Sequence, residues 1–370
     1  MNLPHIYPML QALLAALLFG ASAPLAKMLL GEMEPVSLAA FLYLGSGIGL
    51  LIVKAIAHIS GQSEETEARL KKTDSAWLAG AVIAGGVAAP IVLLFSIQHT
   101  PAATASLLLN FESVSTTLIA AYVFKEAISR RTWWAILSIT FASILLSVNF
   151  NTGWGISIGA LGVLAACVLW GIDNNLTRHI SAKDPLMIVT IKGLGAGLFS
   201  LILARILGEP FPVPVVLIKA LLVGSLCYGM SIFFFIHAMR GLGAARTSAL
   251  FATAPLAGVA LSVFLFKEIP GAWFAAALLL MAAGTVLLLG EKHAHLHIHE
   301  EYSHEHRHEH ADGHHLHQHV VDSRRSRSHS HDHSHCRTKH KHHHLPDIHH
   351  RHEHVTETYN GSLPATIIDS

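Results

Sequence analysis

Long apolar runs separated by short polar breaks fill residues 1 to 290 of this chain, and a different pattern follows. An apolar stretch of about 18 or more residues with few charges can cross a bilayer as a helix. Ten such stretches are predicted: 9–30, 35–57, 76–97, 102–123, 132–150, 155–177, 185–207, 215–238, 243–266 and 270–289. Most of the loops between them are very short, which argues against a large buried helical core in a soluble protein. The pattern therefore predicts an all-α integral membrane protein with ten transmembrane helices and a polar tail.

The pattern also recurs. Ala102, Ser106, Leu108 and Phe124-Lys125-Glu126 match Ala244, Ser248, Leu250 and Phe266-Lys267-Glu268, 142 positions on. Leu13, Ala15, Leu18, Gly20 and Leu25 match Leu164, Ala166, Leu169, Gly171 and Leu176, 151 positions on. Two related halves follow, 1–150 and 151–290, each with five spans, and a tail at 291–370. Ala21-Ser22-Ala23 resembles a signal-peptide cleavage site. The preceding segment lacks Lys and Arg, and the first span has a partner in the second half, so it is expected to be retained.

Basic residues collect in cytoplasmic loops. With the N-terminus inside, inner loops and span ends carry Lys54, Arg69, Lys71, Lys72, Lys125, Arg130, Arg131, Arg178, Lys183, Arg240 and Arg246, while the outer ones carry Arg205, Lys219 and Lys267. Both termini are thus expected in the cytoplasm. Five spans per half is an odd number, so the halves face opposite ways. Such inverted repeats are common in secondary transporters, whose substrate sites lie near the midplane between repeats.

Composition sharpens this picture. Of 370 residues, 52% are hydrophobic and 13% charged, against about a quarter charged in ordinary soluble domains. The formal net charge is +1, which gives no support to nucleic-acid binding. Cys167, Cys227 and Cys336 show no framework spacing, and the first two read as small hydrophobes in apolar runs. No phosphate loop of the G-x-x-x-x-G-K-[ST] type is present. Nor does any motif pair a nucleophile with a base, so an enzyme is not expected.

Candidate chemistry lies in the few polar residues inside spans, where they are expensive and usually functional. Glu112 stands inside the fourth span. Ser115 and Thr116, three and four positions on, share its helical face, which suits a cavity. Glu112 could bind a proton or a substrate amine, or serve as a structural hydrogen-bonder between helices. Asp173-Asn174-Asn175 form a second polar cluster in the sixth span; Asp173 is a site residue if the helix continues and a solvated end residue if it stops early. Lys192 in the seventh span either faces a cavity or an acid, or snorkels to the interface. The predicted substrate-binding set is Glu112, Ser115, Thr116, Asp173, Asn174 and Lys192. Lys27 is expected to snorkel, and His237 to be a structural hydrogen-bonder. Gly45, Gly47 and Gly49, matched by Gly193, Gly195 and Gly197, read as close helix packing. Gly85-Gly86 and Pro90 mark a flexible point in the third span.

The tail holds 24 of the chain's 29 histidines. Its low hydrophobicity and lack of periodicity predict disorder. Imidazole suits zinc, nickel, cobalt and copper. The predicted metal-binding residues are His293, His295, His297, His299, His304, His306, His308, His310, His329, His331, His333 and His335. A low-complexity tail without a physiological metal role is the competing reading. No cofactor is required elsewhere.

The ten spans, the five-plus-five repeat and the matched ends of spans four and nine resemble the EamA family of the drug/metabolite transporter superfamily over residues 9–290. In that family the fourth span of each half carries a Glu-Pro pair and closes on Gly-Glu or Lys-Glu. Here Glu112-Ser113 keeps the acid and loses the proline, and Ala254-Pro255 keeps the proline and loses the acid. Lys192 sits near the place where the family often has an Arg. The resemblance implies secondary transport of a small organic metabolite, often export, by rocking of two halves without ATP. A transition-metal (zinc, nickel or cobalt) transporter and a membrane-anchored metal buffer are the alternatives. The expected partners are a small-molecule substrate, the lipid bilayer and transition-metal ions; a homodimer is left open. No targeting signal is visible, so the plasma membrane is the expected location.

Overall fold

The computed structural model describes residues 6–60, 70–124, 128–149, 155–180, 183–242, 244–267, 271–289, 293–299, 302–309, 328–335 and 338–344. Helices fall on each of the ten apolar stretches. In the first half these are α1 (Ile6–Gly20) and α2 (Ser22–Leu29); α3 (Pro35–Ile59); α4 (Ser75–Ala81), a π-helix (Val82–Ala88) and α5 (Ala89–Gln98); α6 (Ala102–Leu108) and α7 (Phe111–Phe124); and α8 (Arg130–Ser147). In the second half they are α9 (Ile158–Arg178); α10 (Pro185–Ile206); α11 (Pro214–Val223), a π-helix (Gly224–Met230) and α12 (Ser231–Leu242); α13 (Ala244–Phe251) and α14 (Ala254–Phe266); and α15 (Ala272–Leu289).

Among the described residues, seven helical units are long and apolar enough to cross a membrane: Ile6–Leu29, Pro35–Ile59, Lys72–Gln98, Ala102–Phe124, Ile158–Arg178, Pro185–Ile206 and Pro214–Met239. Ala254–Phe266 and Ala272–Leu287 are apolar but shorter. The sequence predicts ten such units. The shortfall falls on α8, which opens with Arg130 and Arg131, on the stretch divided by the turn before α14, and on α15. Large apolar side chains stand exposed along the outer faces, among them Leu161, Val168 and Ile172 of α9 and Leu198, Phe199 and Ile202 of α10. A soluble surface rarely carries a patch of this extent; a lipid-facing surface requires it.

Local chemistry sets the helix starts. Proline opens α3, α10 and α11, where its missing N–H costs no ladder bond. Ser129, Ser157 and Asp184 cap α8, α9 and α10 by accepting from Thr132, Ala160 and Met187 N–H. The cap of α3 comes from the other half. Glu209, in the loop after α10, accepts from Val36 N at 3.3 Å and from Ser37 N and Oγ at 2.7 and 2.6 Å.

α3 and α10 form the most intimate contact between the halves. A Cβ on Gly193 would lie 2.8 Å from Gly47 N, and one on Gly197 would lie 2.6 Å from Leu44 N. Between membrane helices there is little hydrophobic drive, so close backbone approach through small residues supplies the packing. Glu209 clamps one end of this pair and a Lys54–Asp184 ion pair, 3.0 Å, the other. One apolar core gathers Leu38, Leu42, Leu94, Ile97, Leu108 and Val163. A second joins α7, α8 and α15 through Val114, Ile139 and Met281.

The two π-helices stand 142 positions apart, Val82–Ala88 and Gly224–Met230. That is also the offset of the sequence repeat, and the breaks between α6 and α7 and between α13 and α14 stand 143 positions apart. A two-residue ladder, Val148–Asn149 (β1) with Gly155–Ile156 (β2), lies between the halves. Within the tail, β3 (His293–His299) pairs antiparallel with β6 (Thr338–His344), and β4 (Tyr302–Glu309) with β5 (Ser328–His335). The alternation His-x-His-x has the two-residue period of an extended strand, a feature that overall composition conceals.

Candidate functional site

The sequence predicts one continuous helix over 102–123. The structure breaks it. Asn110 N and Glu112 N donate three residues back, to Leu107 O at 3.2 Å and Leu109 O at 3.1 Å, tightening the chain at Leu109–Asn110 before α7 begins. The Cys167 thiol donates to the carbonyls of Leu108 and Leu109 at 3.7 and 3.8 Å. Helix termini leave backbone groups short of ladder partners, and here the one S–H of a buried cysteine from the other half is shared between Leu108 O and Leu109 O, the latter already accepting from Glu112 N. Glu112 therefore lies in the first turn of a helix, where the positive end of the dipole favours a carboxylate. A half-helix start carrying a polar group near the midplane is a recurring feature of transporter sites.

α9 runs unbroken to Arg178, so Asp173 is an interior residue, 5% exposed. Leu161, Ala165, Val168 and Ile172 stand above one another on the exposed outer face of α9. At about 100° per residue, Asn174 lies roughly 200° round from Ile172, on the same side as buried Val163 and Cys167. Yet Asn174 is exposed. Its exposure therefore lies on the bundle-facing side of α9 and not on the outer face.

Asn174 Nδ2 donates to Glu112 Oε1 at 2.8 Å and to Thr116 Oγ1 at 3.1 Å. This joins the α7 pair to the α9 cluster across the two halves. Beside it, Lys192 Nζ of α10 donates to Asp173 Oδ1 and Oδ2 at 2.5 and 2.7 Å, and to Thr177 Oγ1 at 3.3 Å. Thr177 Oγ1 donates to Asp173 Oδ1 at 2.9 Å. Five of the six predicted residues thus gather in two adjoining groups, a neutral-partnered acid and a closed ion pair. Asn175 turns aside, bonding Thr116 O at 3.0 Å and Gly171 O at 2.8 Å.

Ser115 does not join them. It is 4% exposed and packs on Gly171, whose Cβ would lie 2.8 Å from Ser115 Cβ. Sharing a face three positions from Glu112 put it one step too far round, into the contact with α9. Lys27 does not simply snorkel: Nζ donates to Thr100 O and stands 5.9 Å from the Phe266 ring. His237 Nδ1 meets Phe233 O at 2.9 Å, the structural role expected of it. Of the twelve tail histidines predicted to bind metal, His310 lies outside the described residues, and for the other eleven only the backbone is described.

Sequence reasoning missed Tyr43 and Trp170. Tyr43 Oη and Trp170 Nε1 both donate to Gly85 O, at 2.7 and 3.0 Å. The Asp173 carboxylate packs directly on Gly85, leaving no room there for a Cβ. The signal was Gly85-Gly86 followed by Pro90, read as a flexible point without its partners.

The sequence model of the EamA-like transporter family matches residues 6–148 and 157–290. The chain belongs to that family and is a multi-pass membrane protein. An uncharacterized transporter of Methanothermobacter thermautotrophicus is 29% identical over 266 residues, covering 69% of this chain and 78% of that protein. A solved crystal structure of a protein, 20% identical, superposes with a TM-score of 0.55 over 76% of this chain and 95% of that one. It supports the fold.

Proposed function

We propose that this chain is a secondary active transporter, an exporter of a small organic metabolite, that works by alternating access between two inverted five-span repeats. The observation that carries the reading is Glu112: an acid inside a span, at a half-helix start, bound across the halves by Asn174. Glu112 binds a proton or a substrate amine in turn, and Asn174 and Thr116 orient whichever it holds. Asp173 and Lys192 neutralise each other and hold α9 against α10. The matched π-helices and breaks, 142 and 143 positions apart, support two repeats of ten spans in all. The excess of Lys and Arg in one set of loops supports cytoplasmic termini in the plasma membrane. The tail binds zinc, nickel, cobalt or copper on the cytoplasmic side, as its 24 histidines suit.

Proteoliposomes with an imposed pH gradient, screened with a panel of labelled amino acids and amines, test this. Glu112→Gln is expected to abolish gradient-driven flux while the protein still inserts. Unchanged pH-dependent flux in that variant defeats the assignment. Zinc, nickel and cobalt flux through both the full chain and a version ending at Gly290 would make the pore a metal path instead.

A further inference from the structure

The point where α3, the third-span π-helix, α9 and α10 meet is built around one carbonyl. In the π-helix Val82–Ala88 the ladder runs five residues back, and its last bond is Ala89 N to Ala84 O. The next bond would bring the N–H of residue 90 to Gly85 O. Residue 90 is proline and has no N–H. Gly85 O is therefore left without a ladder partner by the sequence itself. In a membrane a freed backbone group must be met by neighbouring helices. Tyr43 Oη of α3 and Trp170 Nε1 of α9 meet it, at 2.7 and 3.0 Å.

The same carbonyl stands next to the candidate site. Trp170 precedes Asp173 by less than one turn, and Asp173 rests on Gly85. A Cβ on the following Gly86 would lie 2.6 Å from Ala196 Cβ of α10, four residues from Lys192. The other π-helix lacks this arrangement. At the 142-residue offset Cys227 replaces Gly85 and Ile232 replaces Pro90, so an N–H is present to continue that ladder. The repeats share the bend, and the orphaned carbonyl belongs to one of them.

We propose that Gly85 O is a latch. Tyr43 and Trp170 are positioning residues that hold the bent third span against α3 and α9 in this conformation, and the carrier releases at least one of the two bonds to reach its opposite-facing conformation. This rests on the alternating-access reading above. A latch present in one repeat makes the two facings unequal in energy, although the repeats match in shape. It does so with neutral donors that bind no substrate.

The test uses the full chain in unidirectionally oriented proteoliposomes, with Cys336→Ser, with the buried Cys167 and Cys227 kept, and with Thr116→Cys as a reporter between α7 and α9, the same protein without the reporter giving the background. A membrane-impermeant maleimide is applied from each side, and the ratio of labelling rates is read. Tyr43→Phe and Trp170→Phe each remove one donor and keep the ring. Each is expected to move the ratio roughly fivefold toward the side less labelled in the parent, about the worth of one hydrogen bond. Pro90→Ala alone gives Gly85 O an intrahelical N–H in both facings; it is expected to move the ratio in the same direction, and on that background Tyr43→Phe is expected to add clearly less than its full shift, a dependence that a general loosening of packing would not show. A reporter reached from both sides with a ratio unmoved by both variants overturns the latch alone. So does a Tyr43→Phe shift that is just as large on the Pro90→Ala background. A reporter reached from one side only, in the parent and every variant, overturns alternating access and the latch with it.

Discussion

Lys192→Met removes a cation from a buried pair and keeps the side chain's length. In the wild type Lys192 Nζ makes two bonds to the Asp173 carboxylate, at 2.5 and 2.7 Å, and the Asp173 side chain is 7% exposed. After the substitution the carboxylate retains the hydrogen bond from the Thr177 hydroxyl. Hydrogen bonds to charged groups contribute about 1.5–3 kcal/mol each, so two give about 3–6 kcal/mol. Breaking one side of a buried ion pair costs about 3–5 kcal/mol, because a charge is left uncompensated. The two routes agree on a loss near 4 kcal/mol. At about 2–4 °C per kcal/mol in chains of a few hundred residues, the melting temperature falls by roughly 6–20 °C. Tryptophan-fluorescence melting of the detergent-solubilised protein reads this. Removing the acid as well, in Asp173→Asn with Lys192→Met, leaves no charge to compensate and recovers most of the loss. A single variant that melts within about 2 °C of wild type, or a double variant no more stable than the single one, refutes the reasoning.

Three further outcomes follow from the packing and the tail. Gly193→Val drives a side chain into the backbone of Gly47 and Tyr43, which lie 2.8 to 3.0 Å from a Cβ there, and it is expected to abolish folded expression. Gly195→Ala, whose Cβ meets nothing nearer than Val82 Cγ1 at 3.8 Å, is expected to express and melt like wild type; equal behaviour of the two in size-exclusion chromatography would remove the α3–α10 argument. Glu209→Ala takes the cap from α3 and three accepted bonds with it, and a loss of about 1–2 kcal/mol by thermal melting is expected; no change shows that the cap contributes nothing. A chain ending at Gly290 keeps its helical circular dichroism and loses zinc binding by titration calorimetry, and undiminished binding would move the metal site out of the tail.

Much of the site was legible because polar atoms inside a membrane span are costly enough to stand out. Glu112, Asp173, Asn174 and Lys192 were visible for that reason alone. Their pairing was not. Nothing in a one-dimensional pattern says that Asn174 reaches Glu112 while Lys192 closes on Asp173, because both choices satisfy the same charges and spacings. Ser115 and Thr116 are equally polar neighbours of Glu112, and about 100° of helix rotation sends one into the contact with Gly171 and the other to Asn174. Tyr43 and Trp170 were hidden because aromatic residues are ordinary in apolar runs, and their partner is a backbone carbonyl that every residue carries.

The sequence by itself determined that the chain is helical, membrane-bound and doubled, because apolar run length, charge position and self-similarity are local or periodic properties. Tertiary structure decided where the helices break and what meets the freed groups. The turn at Leu109–Asn110 lacks the proline that stands beside its counterpart at Ala254-Pro255, and the single thiol of Cys167, 58 residues from Leu109, is shared between the carbonyls of Leu108 and Leu109. A broken helix in lipid survives only where another element completes its backbone hydrogen bonds. Which element that is depends on three-dimensional packing, and so does the position of the one acid that the break brings to Asn174.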